Sequence, residues 1–473
     1  MNEYKKSNKK LIIKNTSYAL LANIISLICS FVVTLIVPKV ISIEDNGYFN
    51  LYIFYLQYIG VFCLGWIDGI VLRYAGKDYS ELDRPLFHSE FIVFSFIEAV
   101  LSFAVIFFVS LFVKDVFTKE VLILFSFAII ISMPCSFMRY IFQATNRIVD
   151  YSKNYLLERV CYVTLILLCI LLGIYKFEIF IICDLIGKLV SLFYIMYQSK
   201  DIIFYKGLMI GEAVRSGCNN IVVGIKLLIA NLAGFFIIGS VRYVIKMKWG
   251  IATFAKLSLS LSISNLCMTF IRALSLVIFP ILKKIDQEKM VRLYLVLRNI
   301  VSILLLGMLL FYYPIQLLLN AWLPQYSDSV IYLALLFPVC VYECKTALLL
   351  ETYIKALRKE SYLMIINICT VISGMILSVF SAYVIDNIIF TVLVIDILVA
   401  VKSILLEKVV SKAIEINVTR EIVLETVLAI LFVYFNWAIA GAIGFVLYML
   451  CYLFYLWMNK NNIKKVYKLI EKR

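Results

Sequence analysis

The feature that most constrains this chain is a succession of apolar segments that runs through its 473 residues. We count roughly fourteen, each about long enough to cross the ~30 Å hydrocarbon core of a bilayer, with only short polar joints between them. Only 16% of the residues are charged, whereas soluble domains carry about 25%. The sequence therefore predicts an all-α integral membrane protein with about 14 transmembrane helices, whose activity takes place within the bilayer.

The apolar segments form groups that indicate a domain organisation. Six spans come first, a polar joint follows through Arg215, and six further spans and a final pair complete the chain. The predicted parts are a cytoplasmic basic tail at 1–16, an N-terminal six-helix bundle at 17–198, a cytoplasmic linker at 199–216, a C-terminal six-helix bundle at 217–412, two additional transmembrane helices at 413–458 and a basic cytoplasmic tail at 459–473.

A faint internal repeat supports two related halves. Lys39 precedes Gly47 by the same distance as Arg242 precedes Gly250, and several spans separate the two places. Halves related in this way would be parallel repeats about an axis along the membrane normal, which is a common plan among transporters. So short a match also arises by chance, and both interpretations stay open.

The distribution of basic residues predicts the orientation of the chain. Its net charge is +15, and the lysines and arginines are concentrated in the two tails and in every second joint. Cytoplasmic loops of membrane proteins carry such an excess, so we predict an even number of spans with both termini in the cytoplasm. The joint with Arg242, Lys246 and Lys248 is an exception, because it lies on the outer side. Anionic lipid accounts for this basic balance, and no nucleic-acid partner is expected.

The sequence lacks the common motifs of metal sites and enzymes. His88 is its one histidine, and its 12 cysteines show no CxxC spacing, so no metal site is expected. There is no Walker-type glycine loop and no GxSxG or HExxH motif. We therefore expect neither an enzyme with catalytic residues nor a cofactor.

The eighth predicted span carries the most ordered polar pattern. Its polar side chains recur every three or four residues, which places them on one face of a helix; they are Ser258, Ser262, Asn265, Thr269 and Arg272. A charge at the bilayer centre costs at least ~2.5–3.5 kcal/mol. The stripe therefore either lines a hydrated cavity that ends at Arg272, or joins helices by hydrogen bonds while Arg272 extends to the interface. We favour the cavity.

Other cations and amides within spans extend this candidate site. Lys226 has no acid within one helical turn, and an unpaired buried ammonium is costly, so it must face water, an acid from another helix or an anionic substrate. Arg73 and Arg139 lie near the cytoplasmic boundary, where either lipid anchoring or substrate contact accounts for them. The remaining candidates for cavity positions are Lys256, Arg242, Asn23 and Asn231.

Acidic residues within the spans are of two kinds. Some have a basic neighbour that compensates them locally, namely Glu158 with Arg159, Asp184 with Lys188 and Glu351 with Lys355. Glu98 has no such neighbour, so it either couples transport to H⁺ or Na⁺ or pairs with Arg139 or Lys226. Asp68 is a second candidate for ion coupling.

Several short motifs occur in a characteristic order along essentially the whole chain. They are Lys14-Asn15-Thr16, Ile43-Glu44-Asp45-Asn46-Gly47-Tyr48-Phe49, Leu64-Gly65…Gly69…Arg73, Val241-Arg242-Tyr243…Trp249-Gly250 and Trp322-Leu323-Pro324-Gln325-Tyr326-Ser327. In this order they resemble the polysaccharide (Wzx-type) flippases for O-antigen or capsule repeat units, within the multidrug/oligosaccharidyl-lipid/polysaccharide exporter superfamily. One departure is Ser240-Val241 before Arg242, where that family often has an acid.

This resemblance implies a V-shaped pair of six-helix bundles with two extra C-terminal helices in a bacterial inner membrane. It implies an undecaprenyl-pyrophosphate-linked oligosaccharide as substrate, flipped by alternating access for surface polysaccharide export, and other polysaccharide assembly proteins as partners. A pyrophosphate attracts Lys and Arg strongly where the dielectric constant is low. On this hypothesis Arg272 and Lys226 hold the phosphates, while Arg73 and Arg139 draw substrate in from the cytoplasmic side.

Two other functions stay open. Cation-coupled multidrug or small-molecule antiporters of the same superfamily usually have acids in their cavity helices. Here the first, seventh and eighth spans contain cations and amides but no acid, which favours an anionic substrate. A membrane polysaccharide polymerase is the third alternative, but it would need a sizeable outer loop, and no outer joint is long.

Overall fold

The structure of the protein is a computed structural model that describes the backbone of residues 2–282 and 287–460 and the side chains at 17–18, 21–266, 268 and 290–460. Across these ranges every regular element is a helix, which confirms the predicted all-α class. The α-helices are α1 Asn2–Val40, α2 Ile43–Leu56, α3 Trp66–Tyr74, α4 Arg84–Phe112, α5 Val116–Ala144, α6 Ile148–Leu171, α7 Phe177–Gln198, α8 Lys200–Ile203, α9 Ile210–Leu282, α10 Gln287–Met308, α11 Tyr312–Trp322, α12 Ser329–Lys345, α13 Glu351–Ala356, α14 Glu360–Phe380, α15 Ile388–Ala413, α16 Thr419–Tyr434 and α17 Gly441–Met458.

The number of membrane-spanning helices agrees with the prediction. Twelve described helices are long and apolar enough to cross a membrane, and thirteen when the bent pair Ile43–Val61 and Trp66–Tyr74 counts as one span. One of the twelve, Ile210–Leu266, has 57 residues, and a helix of that length extends about 85 Å, far more than one crossing needs. Gly250 interrupts it with φ 82° and ψ −178°, a conformation that glycine adopts readily. This stretch therefore provides two spans, which brings the total to the roughly fourteen predicted.

The two glycines of the predicted repeat have different backbone roles. Gly47 is buried within α2, whereas Gly250 has non-helical backbone angles and separates two parts of α9. The shared spacing from Lys39 and from Arg242 therefore does not correspond to the same local structure. A relation between the two halves of the chain stays a prediction.

Short polar side chains determine where several helices begin. Ser42, Asp83 and Asp115 each accept a hydrogen bond from the backbone N–H three residues along, at 3.0 to 3.2 Å. Asn387 caps α15 in a similar way. These bonds satisfy backbone donors that the first helical turn leaves unpaired, so the helices start at the polar joints that separate the apolar segments.

The first of two compact units comprises Met1–Phe235. Within it α5 packs against α3, α4 and α7, and α6 packs against α1 and α7. Its core is rich in fully buried aromatic side chains, among them Phe87, Phe94, Phe137, Phe142 and Phe177. The unit ends inside the predicted seventh span at 217–241, so the first part of α9 packs with the N-terminal helices. The predicted domain boundaries themselves stay a prediction.

The predicted linker at 199–216 is partly helical, since it contains α8 and the first turns of α9. The backbone N–H of Met209 donates to Ser89 Oγ at 2.8 Å, which holds the linker against α4. The Tyr79 hydroxyl donates to Asp201 at 3.1 Å. Burial and the Asp201 carboxylate raise the pKa of Tyr79, so this hydroxyl stays protonated and keeps its role as donor.

The second unit comprises Phe236–Arg473. Within it α15 packs against α12 and α14, while α16 and α17 pack against each other and against α10. The last two helices are thus part of this unit. Three of its helices continue into a π-helical turn, at Thr346–Leu350, Ser381–Ile385 and Phe435–Ile439. Such turns are rare and occur frequently at functional sites.

Candidate functional site

Glycines bring α3 and the first part of α9 into backbone contact. A Cβ atom at Gly69 would lie 2.0 Å from the Asn220 carbonyl oxygen, and one at Gly224 would lie 2.0 Å from the Gly65 carbonyl oxygen. Gly217 leaves space for the indole ring of Trp66 in the same way. Since only glycine permits so close an approach, these residues determine how α9 lies on the first unit. We call this contact the glycine seam.

The glycine seam aligns Arg73 with polar groups of α9. Arg73 Nη1 donates to Asn220 Oδ1 at 2.6 Å and to the Ser216 carbonyl oxygen at 3.2 Å. Asn220 Nδ2 in turn donates to Glu90 Oε2 at 3.1 Å, as does Trp66 Nε1 at 3.2 Å. Glu90 is fully buried, so its carboxylate balances the charge of Arg73 through one amide. We call Arg73, Asn220 and Glu90 the Arg73 relay.

A cavity of about 370 Å³ lies beside Arg73. Its polar lining consists of Arg73, Tyr74, Glu212, Arg215, Ser216 and Asn219. Two guanidinium groups and one carboxylate give this lining a net positive charge, and guanidinium groups bind phosphate through paired, charge-assisted hydrogen bonds. We call it the basic cavity, and its chemistry suits an anionic ligand.

Lys226 continues the polar face of α9 beyond the basic cavity. The spacing of Arg215, Asn219 and Lys226 places them on one face of the helix, and Lys226 lies about 10 Å along the axis from Asn219. All three are exposed, as are the predicted cavity amides Asn23 and Asn231. Among the residues that the structure describes, Lys226 has no ion-pair or hydrogen-bond partner. Its charge is therefore available to a ligand.

Arg139, in contrast, belongs to a buried polar network. It forms an ion pair with Glu158 of α6, and Lys188 lies 3.5 Å from Glu158 and 2.6 Å from Asp184. The predicted Asp184–Lys188 pair is thus confirmed, whereas Glu158 finds its closest cation on another helix instead of in its neighbour Arg159. Because the Glu158 carboxylate pairs with Arg139, the surroundings of Arg139 do not support the predicted contact with substrate.

Two other predicted cavity cations also have partners within the protein. Lys256 Nζ lies 2.7 Å from Asp328 Oδ2 in an ion pair. Arg242 is buried, donates to Ser258 Oγ at 2.8 Å and lies 5.1 Å from the centre of the Phe254 ring. These contacts explain why cations are tolerated where the predicted seventh and eighth spans meet. They give both side chains a structural role.

The predicted polar stripe of the eighth span does not face a single environment. Ser258 is fully buried, Ser262 is half-buried and Asn265 is exposed. Thr269 and Arg272 lie on helical backbone, but their side chains are outside the described residues. The proposed role of Arg272 in holding phosphate therefore stays a prediction from the sequence.

The two acids that the sequence suggests for ion coupling are both buried in the first unit. Glu98 is 1% exposed and its Oε2 lacks a hydrogen-bond partner, and Asp68 is 8% exposed. Over the described ranges neither forms an ion pair, so Glu98 does not pair with Arg139 or Lys226. No group of three or more His, Cys, Asp or Glu side chains in the described part of the chain could hold a metal ion.

A second charged cluster, in the C-terminal unit, consists of residues that were not among the predicted site residues. Arg298 lies 2.7 Å from Glu407 and 2.9 Å from Glu425, and Lys345 lies 2.5 and 2.6 Å from the same two carboxylates. All four side chains are buried and come from α10, α12, α15 and α16. Their charges cancel, so this four-charge cluster ties helices together and offers nothing to an ionic ligand.

Comparison with known proteins gives a result for structure only. No family model matches the chain, and no curated protein sequence matches it. The lipid II flippase MurJ, in an inward closed conformation, aligns with a TM-score of 0.69 and 15% identity over 95% of this chain and 100% of that chain. A multidrug resistance MATE family transporter of the MOP superfamily aligns in its outward-facing conformation (TM-score 0.59, 14% identity, 86% of this chain and 96% of that chain). The inward-facing conformation of a multidrug resistance MATE family transporter aligns with a TM-score of 0.55 and 13% identity, over 83% of this chain and 98% of that chain.

At these identities the likeness establishes the fold. The protein has the fold of MOP-superfamily transporters, and it is a multi-pass membrane protein. The proteins that share this fold here are a flippase and multidrug transporters. The expected superfamily fold is thus confirmed, while the assignment to polysaccharide flippases stays a prediction.

Proposed function

We propose that the protein flips an undecaprenyl-pyrophosphate-linked oligosaccharide across the bacterial inner membrane by alternating access, for surface polysaccharide export. The observation that carries this proposal is the basic cavity together with the uncompensated Lys226 on the same face of α9. The fold supports it, since one of the similar structures is a lipid II flippase. In this proposal both termini lie in the cytoplasm, and other polysaccharide assembly proteins are partners.

A pyrophosphate headgroup suits the chemistry of the basic cavity. Arg73 and Arg215 present planar groups of N–H donors that match phosphate oxygens. An anion that moves from this cavity along α9 meets Lys226 about 10 Å further on. These charges act most strongly where water is scarce. The lipid tail stays in the bilayer, and Asn219 offers hydrogen bonds to sugar hydroxyls.

The Arg73 relay orients the guanidinium group of Arg73 before such a ligand binds. The hydrogen bonds to Ser216 and Asn220 all use Nη1. Nε and Nη2 of Arg73 therefore have no partner among the described residues. A guanidinium held by one nitrogen is oriented before the ligand arrives, so less side-chain entropy is lost when the anion binds.

Flipping of a fluorescently labelled polyprenyl-pyrophosphate oligosaccharide in proteoliposomes tests this function. We expect Lys226→Gln and Arg73→Gln each to lower the initial rate at least about tenfold, because a hydrogen bond to a charged group contributes about 1.5–3 kcal/mol. Lys256→Gln is the matched control, since its ammonium is already paired with Asp328. This control should keep the wild-type rate.

Two results would contradict the proposal. One is a wild-type protein that reconstitutes into the vesicles but does not move the labelled lipid. The other is a rate that falls equally in Lys256→Gln, Lys226→Gln and Arg73→Gln, because neither the basic cavity nor the unpaired charge of Lys226 would then have a special part in transport.

Cation-coupled antiport of drugs or small molecules is the second candidate, and Asp68 and Glu98 favour it. Buried carboxylates without a cation partner are typical sites of H⁺ or Na⁺ coupling in transporters, and MATE transporters share the fold. Efflux of ethidium from cells separates the two functions. Efflux that Glu98→Gln abolishes, in a protein that does not flip the labelled pyrophosphate lipid, would replace the flippase assignment.

A further inference from the structure

A second cavity, of about 220 Å³, lies in the C-terminal unit between helix ends. Its wall on α11 is formed by Tyr312, Gln316 and Asn320, whose spacing of four places them on one face of that helix. Asn436 and Trp437 come from the π-helical turn that follows α16. The described lining contains no charged residue, so we call it the neutral cavity.

The neutral cavity offers hydrogen bonds that the protein itself does not use. Gln316 Oε1 is buried and has no partner among the described residues. An unpaired buried carbonyl costs about 1–3 kcal/mol, and a hydroxyl donor from a ligand would remove this cost. Asn320 adds a second amide at the exposed end of the same face.

The walls of the neutral cavity are held by contacts within the protein. The Tyr312 hydroxyl donates to the Val330 carbonyl oxygen at 3.3 Å, and Asn436 Nδ2 donates to the Phe432 carbonyl oxygen at 2.9 Å. Trp437, in contrast, is 40% exposed. The cavity therefore combines fixed amide and phenol groups with an indole ring that a ligand can reach.

We propose that the neutral cavity binds one uncharged sugar unit. Amide groups both donate to and accept from sugar hydroxyls, and the C–H face of a pyranose ring packs on an aromatic ring such as Trp437. A lining without charge disfavours phosphates and cations. The unpaired Gln316 oxygen disfavours an acyl chain, which could not satisfy it.

The position of the neutral cavity agrees with an exit-side role. The alternation of basic joints predicts that the turns at 323–328 and 436–441 lie on the outer side of the membrane. A sugar unit of the lipid-linked oligosaccharide would then meet this cavity as it emerges. This inference rests on the proposed flippase function, and it adds a sugar subsite to the phosphate-binding groups of the first unit.

Titration of the purified full-length protein with free methyl glycosides tests the inference. The detergent must lack a sugar headgroup, and the probes are the methyl glycosides of glucose, galactose and N-acetylglucosamine, followed by tryptophan fluorescence. We expect saturable binding of at least one probe, weakened about tenfold in Gln316→Leu by loss of its hydrogen bond. Gln198→Leu is the matched control, because Gln198 Oε1 is also buried without a partner but belongs to the first unit.

The outcomes separate this inference from the proposed function. Absence of saturable binding, or equal weakening in Gln316→Leu and Gln198→Leu, overturns the sugar subsite. Saturable binding of glycerol 1-phosphate that Gln316→Leu abolishes also overturns it, because the cavity would then hold a phospholipid headgroup. If the wild-type protein flips the labelled pyrophosphate lipid but binds no glycoside, only the sugar subsite fails. If it binds a glycoside but flips no lipid, only the proposed function fails.

Discussion

Replacing Arg298 with methionine is expected to lower the free energy of unfolding by about 3–5 kcal/mol. Arg298 is 1% exposed and contacts both Glu407 and Glu425, so its loss leaves Lys345 alone to balance two buried carboxylates. Methionine fills most of the vacated space, and the loss therefore measures charge more than packing. Reversible unfolding in mixed micelles, followed by tryptophan fluorescence, gives the free energy.

Two further variants show whether charge balance is the cause. Lys355→Met removes a cation from the Glu351 pair, whose atoms lie 3.4 Å apart on the protein surface, and should change the free energy of unfolding by at most about 1 kcal/mol. The double variant Arg298→Met, Glu407→Gln leaves the Lys345–Glu425 pair intact. It should be more stable than Arg298→Met alone by at least about 1 kcal/mol. Equal losses in Arg298→Met and Lys355→Met would show that burial of the four-charge cluster has no special importance.

The second large effect is expected at the glycine seam. In Gly224→Ala the new methyl group would lie 2.0 Å from the Gly65 carbonyl oxygen and 2.5 Å from the Gly69 nitrogen. Both are backbone atoms, so α3 and α9 must move apart. Overpacking of this kind costs about 1–3 kcal/mol. The same displacement should weaken the Arg73–Asn220 hydrogen bond and slow the proposed lipid flipping, so unfolding and transport are measured on the same preparation.

Gly234→Ala is the matched control for the seam. Gly234 lies on the same helix, and no atom lies within 4 Å of a methyl group placed there. Alanine has the better helix propensity, so this variant should be neutral or more stable by about 0.5–1 kcal/mol. If Gly224→Ala were as stable and as active as Gly234→Ala, the two helices would not need the close contact.

The architecture could be predicted because the bilayer imposes it locally. A segment that crosses hydrocarbon must satisfy its own backbone hydrogen bonds, so apolar length alone predicts a helix. Helix ends, in contrast, also depend on contacts between distant residues. The sequence predicts that the seventh span ends at 241, but α9 continues to the break at Gly250, because Arg242 and Lys248 find partners in Ser258 and Asp386. Those partners compensate the cations that made this segment resemble a loop.

Ionic partners far apart in sequence could not be predicted in this way. Neighbours four residues apart are visible on a helical face, and the pairs Asp184–Lys188 and Glu351–Lys355 are confirmed. Arg139 and Glu158, in contrast, lie on different helices. Sequence spacing carries no information on such a contact, so the sequence alone does not distinguish Arg139 from a free cation, whereas the packing of α5 on α6 does.

The basic cavity was predicted only in part for a similar reason. Arg73 and Lys226 could be recognised as cations within apolar segments, because a lone charge there is costly. Arg215 lies in the predicted linker, and the sequence spacing of Glu90 and Asn220 does not distinguish them from other polar residues. Their roles depend on the glycine seam, which brings α3 and α9 together across more than a hundred residues of sequence.

The Arg73 relay also affects how long a bound anion would remain. Through Asn220 the guanidinium already shares its charge with a buried carboxylate, so it attracts an added phosphate less than an isolated cation would. In many transport and catalytic cycles the slow step is release of the product. In the proposed function a counterbalanced arginine would shorten the residence of the anion, and rapid turnover would then depend on Glu90, an acid outside the cavity lining.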